Sequence, residues 1–205
     1  MSVPAQRPTV VAITGASGAL YAVALIRTLA RAHCPVWLIV SDHGLRLLDV
    51  EVGLASIEAL RGHVGGTVWD ASVRLFDDRD RGALPASGSV QTAGMVICPC
   101  SMGTIAAVAH GTSRSLVERA ADVTLKERRR LIVVPRETPY SQIHLDNMLR
   151  LTMAGGTVLP ASPGFYHQPK TIDDLVHFVV GRILDHLQVE HDLVRRWGGD
   201  PAPEA

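Results

Sequence analysis

Leu131-Ile132-Val133-Val134-Pro135-Arg136-Glu137-Thr138-Pro139 opens on four apolar residues, three of them β-branched, and then releases two opposite charges past a proline. A short continuous apolar run of this kind is what a strand buried on both faces needs, and such strands belong to parallel sheets covered by helices. In open α/β sheets, ligands bind outside the carboxyl ends of the strands. From this stretch alone two readings stand open for Arg136 and Glu137: a solvated loop whose charges pair with each other, or one wall of a site.

Working outward, the same strand-then-turn grammar recurs. Thr9-Val10-Val11-Ala12-Ile13 is a β-rich run followed at once by Thr14-Gly15-Ala16-Ser17-Gly18-Ala19, after which Leu20, Ala24, Ile26 and Leu29 recur at helical spacing to about Ala32. Free N–H groups and the dipole of a helix start converge there, so the turn reads as an anion cradle whose small residues admit a phosphate or a flat ring. Val36 to Val40 is a second strand, followed by Ser41-Asp42-His43. Asp42 stands where a dinucleotide fold places a ribose acid, yet the turn is Gly15-x-x-Gly18, so that match is weak. Residues 43 to 62 read as helical and carry Glu51 and Glu58.

A third strand is predicted at Val73 to Phe76, followed by a charged, mobile loop from Asp77 to Gly82 and the small polar run Pro85-Ala86-Ser87-Gly88-Ser89. Gly94 to Cys98 is a fourth strand ended by Pro99. Ser101-Met102-Gly103-Thr104 then opens a helix to about His110 with Ser101 as its N-cap, a second turn of the anion-binding type. Residues 114 to 130 read as a helix with Arg119 and Lys126 broadly on one side. Ile143 to Ala154 is an amphipathic helix, Thr157 to Leu159 a sixth strand, and Gly164-Phe165-Tyr166-His167 an aromatic loop. Thr171 to Leu187 is a long helix with Arg182 off its apolar stripe, and Trp197 lies in the following tail. Six strands alternating with helices predict a doubly wound, mostly parallel sheet in an α/β/α sandwich, Rossmann-like or flavodoxin-like, which brings both glycine turns and Arg136-Glu137 to one edge.

Bulk properties restrict the function. The 205 residues read as one domain over 1–205, with its core at about 8–187 and a frayed tail at 188–205. Hydrophobic residues at 47% and charged residues at 20% supply a core, and twenty basic against twenty acidic side chains leave no net field to attract nucleic acid or an anionic membrane. No stretch reaches the ~20 apolar residues of a membrane span, and the N-terminus lacks a signal pattern, so a cytoplasmic protein is expected. Cys34, Cys98 and Cys100 suggest buried reduced thiols, and the absence of a second ligand pair beside Cys98-Pro99-Cys100 argues against a metal.

In their order, Gly15-Ala16-Ser17-Gly18-Ala19, Pro85-Ala86-Ser87-Gly88-Ser89, Cys98-Pro99-Cys100-Ser101, Arg119-Ala120-Ala121-Asp122-Val123, Leu125-Lys126-Glu127-Arg128, Pro135-Arg136-Glu137-Thr138-Pro139 and Pro163-Gly164-Phe165-Tyr166-His167 resemble the flavin prenyltransferases of the UbiX/Pad1 family, across nearly the whole chain. The resemblance implies metal-independent transfer of a dimethylallyl group from dimethylallyl phosphate to N5 and C6 of reduced FMN. The product would be the cofactor of a UbiD-type decarboxylase, a partnership reflected in older descriptions of such chains as decarboxylases. It also implies a homo-oligomer, a dodecamer built from trimers. By resemblance, Gly15, Ala16, Ser17, Ser41, Ser101, Met102, Gly103, Thr104 and Arg136 hold FMN. Lys126, Arg136, Tyr166 and Arg182 hold the donor phosphate, and Ser17, Glu51 and Glu137 move protons. That chemistry suits the residue types, since ionising an allylic phosphate needs cations around the leaving group and an acid to protonate it.

One departure stands out: Asp80-Arg81-Gly82-Ala83-Leu84 lacks the tryptophan that some members carry shortly before Pro85. Two alternatives share the fold. An FMN-dependent cysteine-type decarboxylase could use His43, although its Asn-containing clamp has no match here. A non-enzymatic flavin carrier would have no use for Lys126, Glu137 and Arg182 around a second phosphate.

Overall fold

Six parallel strands, β1 (Thr9–Ile13), β2 (Val36–Val40), β3 (Val73–Asp77), β4 (Gly94–Cys100), β5 (Leu131–Pro135) and β6 (Thr157–Val158), form one sheet in the order β3-β2-β1-β4-β5-β6. The computed structural model describes residues 6–194. Every residue of β1, β4 and β5 is buried, which is why those runs are continuously apolar, whereas β3 at the edge buries only Phe76 fully. The strand order is that of a Rossmann sheet. The chain builds β1, β2 and β3 in one direction and then returns to lay β4 on the other side of β1.

Alternation along the strands feeds two apolar layers. Val11 and Ile13 of β1 join Val96, Ile132 and Val134 on one face, and Val10 and Ala12 join Met95, Ile97, Leu131 and Val133 on the other. The first layer is covered by α1 (Ala19–Arg31), α2 (Asp42–Val52), α3 (Ile57–Val64), α4 (Gly66–Ser72) and α8 (Ile172–Leu187). The second is covered by α5 (Met102–Ala109), α6 (Leu116–Lys126) and α7 (Gln142–Met153). The predicted three-layer α/β/α sandwich is the observed fold.

Several boundaries differ from the sequence reading. The helix expected over 43 to 62 is two helices, because Gly53 adopts φ 68° and caps α2, and Ser56 then caps α3 by accepting the Ala59 N–H. Helix α4 has no counterpart in the sequence reading, since its seven residues carry too short a period to register. Pro99 does not end β4 but lies inside it, where the register with β5 shifts between Ile97 and Cys100. That irregularity is what admits a residue without an N–H. The predicted helix over 114 to 130 stops at Lys126.

The loop after β3 is not loose. The Asp78 carbonyl accepts the Leu116 N–H at 2.7 Å and its carboxylate the Val117 N–H at 2.9 Å, so it is tied to the start of α6. Of the three thiols, Cys98 and Cys100 are buried, which pushes their pKa values up, and Cys34 is only half-buried. The predicted tail begins as a packed segment, with Val189 and Leu193 against the core. Trp197 lies outside the described residues. Among the described residues no helix is long and apolar enough to cross a membrane.

Gly44, in the first turn of α2, sits so close to β1 that an added Cβ would overlap the Ile13 carbonyl oxygen and stand 2.9 Å from its carbon. Gly44→Ala is expected to cost about 2–3 kcal/mol through overpacking. Gly62, inside α3, has nothing within 4 Å of the point where an added methyl group would stand, and Gly62→Ala is expected to stabilise by about 0.5–1 kcal/mol through helix entropy. Urea denaturation of the two variants checks both signs.

Candidate active site

At the point where the strand order reverses, the ends of β1 and β4 are joined by one side chain. Buried Thr14 donates through its backbone N–H to the Pro99 carbonyl at 3.2 Å and through Oγ1 to the same carbonyl at 3.0 Å, while Oγ1 accepts the Ser101 N–H at 2.9 Å. Ser101 then caps α5, accepting the Thr104 N–H at 3.2 Å with the Thr104 hydroxyl 2.9 Å away. Ser41 likewise caps α2, accepting the Gly44 N–H at 3.1 Å and donating to the Ile13 carbonyl at 3.2 Å. Both caps aim a helix start at the same edge, where the dipoles favour an anion.

A cleft of about 660 Å³ opens there. Thr14, Gly15, Ser41, Ser101 and Thr104 form its floor; His43, Arg46, Leu47 and Val50 of α2 form one wall; Asp78 with Ser115, Val117 and Glu118 of the first turn of α6 forms the other. Its volume falls in the range of about 300–1,000 Å³ common for sites of cofactor-sized ligands. Gly15 is required by packing, since a Cβ would stand 2.6 Å from His43 Cβ, and a would-be Cβ on Gly103 meets nothing nearer than Ser101 Oγ at 3.9 Å, so the start of α5 remains approachable. These features fit a flavin mononucleotide: small residues where a flat ring meets backbone, and a capped helix start for a phosphate.

The turn at the start of α1 behaves differently from the expected phosphate cradle. Gly18 caps α1 without a side chain, and the anion at that helix start is the carboxylate of Glu51, whose Oε2 accepts the Gly18 N–H at 2.9 Å and the Ala19 N–H at 2.7 Å. Burial pushes the Glu51 pKa up, but the Ser17 hydroxyl, the two backbone N–H groups and the nearby Arg136 guanidinium outweigh it and hold the carboxyl below its ordinary range. Ser17, Glu51 and Arg136 are therefore brought together. Glu51 already fills the site where a phosphate would sit, which leaves the starts of α2 and α5 for that group.

Arg136 and Glu137 form no ion pair with each other among the described residues. Arg136 acts on Glu51, while the Glu137 carboxylate accepts the Thr138 N–H at 3.0 Å. Ala16 and Met102 are buried beside the floor. Asp42 pairs with Arg79 at 3.0 Å, on the exposed rim.

Of the remaining candidates, Tyr166 lies in the loop that follows β6, whereas Lys126 and Arg182 stand away from this edge within one chain. Lys126 ends α6, pairs with Glu127 and lies against Gly88, at the amino end of β4 and β5. The five residues of β5 separate that end from Arg136 by roughly 16 Å. Tyr166 packs edge-on against Phe178 of α8 at 5.7 Å, and Arg182, one turn further along, pairs with Asp185 at 2.9 Å.

Sequence reasoning passed over most of the cleft walls. His43, Arg46, Leu47 and Val50 recur at i, i+3, i+4 and i+7, so one face of α2 was discoverable by its period once Ser41 was known as the cap. Asp78, Ser115 and Glu118 carry no such signal, because only the crossing of the β3 loop over α6 brings them in.

Fold and cleft together define a doubly wound α/β protein that holds a mononucleotide-type cofactor at its topological switch. The flavoprotein family model matches residues 3–184. The flavin prenyltransferase UbiX of Alkalihalophilus pseudofirmus is 48% identical over 204 residues, covering 97% of this chain and 100% of the relative. The crystal structure of AnUbiX (PadA1) in complex with FMN and dimethylallyl pyrophosphate superposes with a TM-score of 0.86 at 37% identity, covering 96% of this chain and 100% of that one. A dodecameric FMN-dependent UbiX-like decarboxylase from Escherichia coli gives 0.85 at 40% identity, with 94% and 100% covered. The chain belongs to the flavoprotein family and, within it, to the flavin prenyltransferases of the UbiX type.

Because the Glu51 pKa is depressed, its contribution to stability is complete above the ordinary carboxylate range and is lost as pH falls through the lowered value. Glu51→Ala, which uncaps α1, is expected to cost about 1 kcal/mol at neutral pH. The gap between wild type and variant should close as the pH falls from the ordinary carboxylate range through that lowered value. Urea denaturation at a series of pH values reads both effects.

Proposed function

We propose that the chain is a metal-independent cytoplasmic flavin prenyltransferase that transfers the dimethylallyl group of dimethylallyl phosphate to reduced FMN. The observation that carries this reading is the Glu51 carboxylate, held by the Gly18 and Ala19 N–H groups with Ser17 and Arg136 acting on it, one residue from Val50 in the wall of a cleft of cofactor size. Reduced FMN supplies the nucleophilic N5 and C6 that become alkylated. Gly15, Ala16, Ser17, Ser41, Ser101, Met102, Gly103, Thr104 and Arg136 bind it, with its phosphate at the start of α5. Ser17, held by the Glu51 carboxylate, controls the proton at the acceptor nitrogen. Glu137 gives a proton to the departing phosphate and accepts the one displaced from the ring. Lys126, Arg136, Tyr166 and Arg182 offset the charge that gathers on the phosphate as the allylic C–O bond breaks.

That last group is a set only in an assembly. Lys126 at the amino edge, Arg136 at the carboxyl edge and Arg182 on the outer face of α8 cannot surround one phosphate in one chain, so neighbouring copies complete each other's sites. The dodecameric state of the Escherichia coli relative supports such an assembly. Exposed Val50, Phe165 and Tyr166 near the carboxyl edge, at 72, 68 and 62% accessibility, supply apolar surface for it. The prenylated flavin then serves a UbiD-type decarboxylase.

Anaerobic incubation with reduced FMN and dimethylallyl phosphate, followed by mass spectrometry of the flavin, is expected to show the dimethylallyl adduct. An unchanged flavin mass with both the mono- and the diphosphate donor would overturn the proposal. Glu137→Gln is expected to retain FMN and lose turnover; transfer at the wild-type rate removes the proton-shuttle assignment. Lys126→Ala and Arg136→Ala, each inactive alone, should regain activity when co-expressed, because a mixed assembly contains intact composite sites. No recovery in verified mixed oligomers refutes the shared site.

A further inference from the structure

We infer that Asp185 is the positioning residue of Arg182, and that His191, delivered by the segment after α8, fixes Asp185 in turn. The inference rests on Arg182 serving the donor phosphate. Helix α8 ends at Gln188 in the left-handed region, φ 59°, and the Val189 N–H returns to the Leu184 carbonyl at 3.0 Å, which turns the chain back along the helix. Gly181 makes room for the returning segment: a Cβ there would stand 2.9 Å from Val194 Cγ2 and 3.0 Å from His191 Cε1. The His191 side chain, only 4% exposed, is thereby seated on the helix with Nε2 3.2 Å from Asp185 Oδ1. The other carboxylate oxygen, Oδ2, accepts from Arg182 Nη1 at 2.9 Å.

One carboxylate thus links a buried ring to a half-exposed cation at the rim of a surface cavity of about 400 Å³ lined by Arg182, Asp185, Gln188, Val189 and Glu190. An exposed pair three residues apart on a helix holds little by itself. The buried ring changes that, because it removes the freedom of Asp185 and so restricts the guanidinium bonded to it. Arginine loses much side-chain entropy when fixed, and a guanidinium already restrained in the free protein loses less on meeting a phosphate. Asp185 engages one of several N–H donors of Arg182, so the others remain to chelate the anion. Phe178, one turn earlier on α8, carries Tyr166, so the same helix face presents both groups.

The test uses the full chain in its native assembly. Asp185→Asn is expected to raise the KM for dimethylallyl phosphate about 3- to 10-fold, with kcat within about twofold and FMN affinity unchanged, matching the ordering of one long side chain. Asp185→Glu should recover part of the loss. His191→Phe, which keeps the ring on Gly181 but removes the donor, should raise KM in the same direction and decides the matter if Asp185→Asn fails to fold. In an Arg182→Ala background Asp185→Asn should change KM no further.

A KM at or below the wild-type value in Asp185→Asn, or additive effects of the Asp185 and Arg182 substitutions, overturns the inference. A wild-type protein that transfers no dimethylallyl group overturns the function instead. Calorimetric binding of dimethylallyl phosphate then still compares wild type with Asp185→Asn, and equal affinities refute the positioning role.

Discussion

Thr14 is the side chain on which the site depends. A parallel sheet that reverses its strand order must leave a crevice between the two strands at the reversal, here β1 and β4. Nothing in the ladder itself determines how wide that crevice stands beyond the last paired residues. Thr14 determines it, because its hydroxyl and backbone N–H both reach the Pro99 carbonyl while the same hydroxyl receives the Ser101 N–H. Its burial makes each of these bonds costly to leave unmade. Ser101 is thus set as the cap of α5, and Ser41, bonded to the end of β1, sets α2 against the same edge.

Electrostatics then divide the labour between the helix starts. The chain carries no net charge, so an anion is attracted only by local arrangements. Glu51 reaches from the far end of α2 to occupy the start of α1, and in doing so acquires the Ser17 hydroxyl and the influence of Arg136. An internal carboxylate at that position excludes a second anion. The starts of α2 and α5, capped by neutral hydroxyls, remain open to an anion. A glycine turn ahead of a helix is therefore not by itself a phosphate site; which anion fills it depends on a residue 33 positions away.

The cations follow another logic. Parallel strands with antiparallel crossover helices send the end of α6 back to the amino edge of the sheet, which is where Lys126 lies, whereas Arg136 follows β5 at the carboxyl edge. Arg182 stands on the opposite layer from Lys126. No rotamer change bridges a strand length. Each chain carries all of these groups, and none brings them together in one place.

The amino-acid sequence by itself determined the strands and their order of appearance, because buried parallel strands must be continuously apolar and Thr9–Ile13, Val36–Val40 and Leu131–Pro135 are. It also determined the Ser101 cap and the gathering of both glycine turns at one edge, since these are local or topological consequences of residue type and alternation. Only the tertiary structure decided that Gly53 splits a helix, that Asp78 ties a charged loop to α6, that Glu51 caps α1, and that Arg136 and Glu137 do not pair with each other. It likewise decided that Lys126 lies a strand length from Arg136. The reason is physical: periodicity and capping act within a few residues of chain, whereas the partner of a charge is whichever group the packing of whole helices brings within reach.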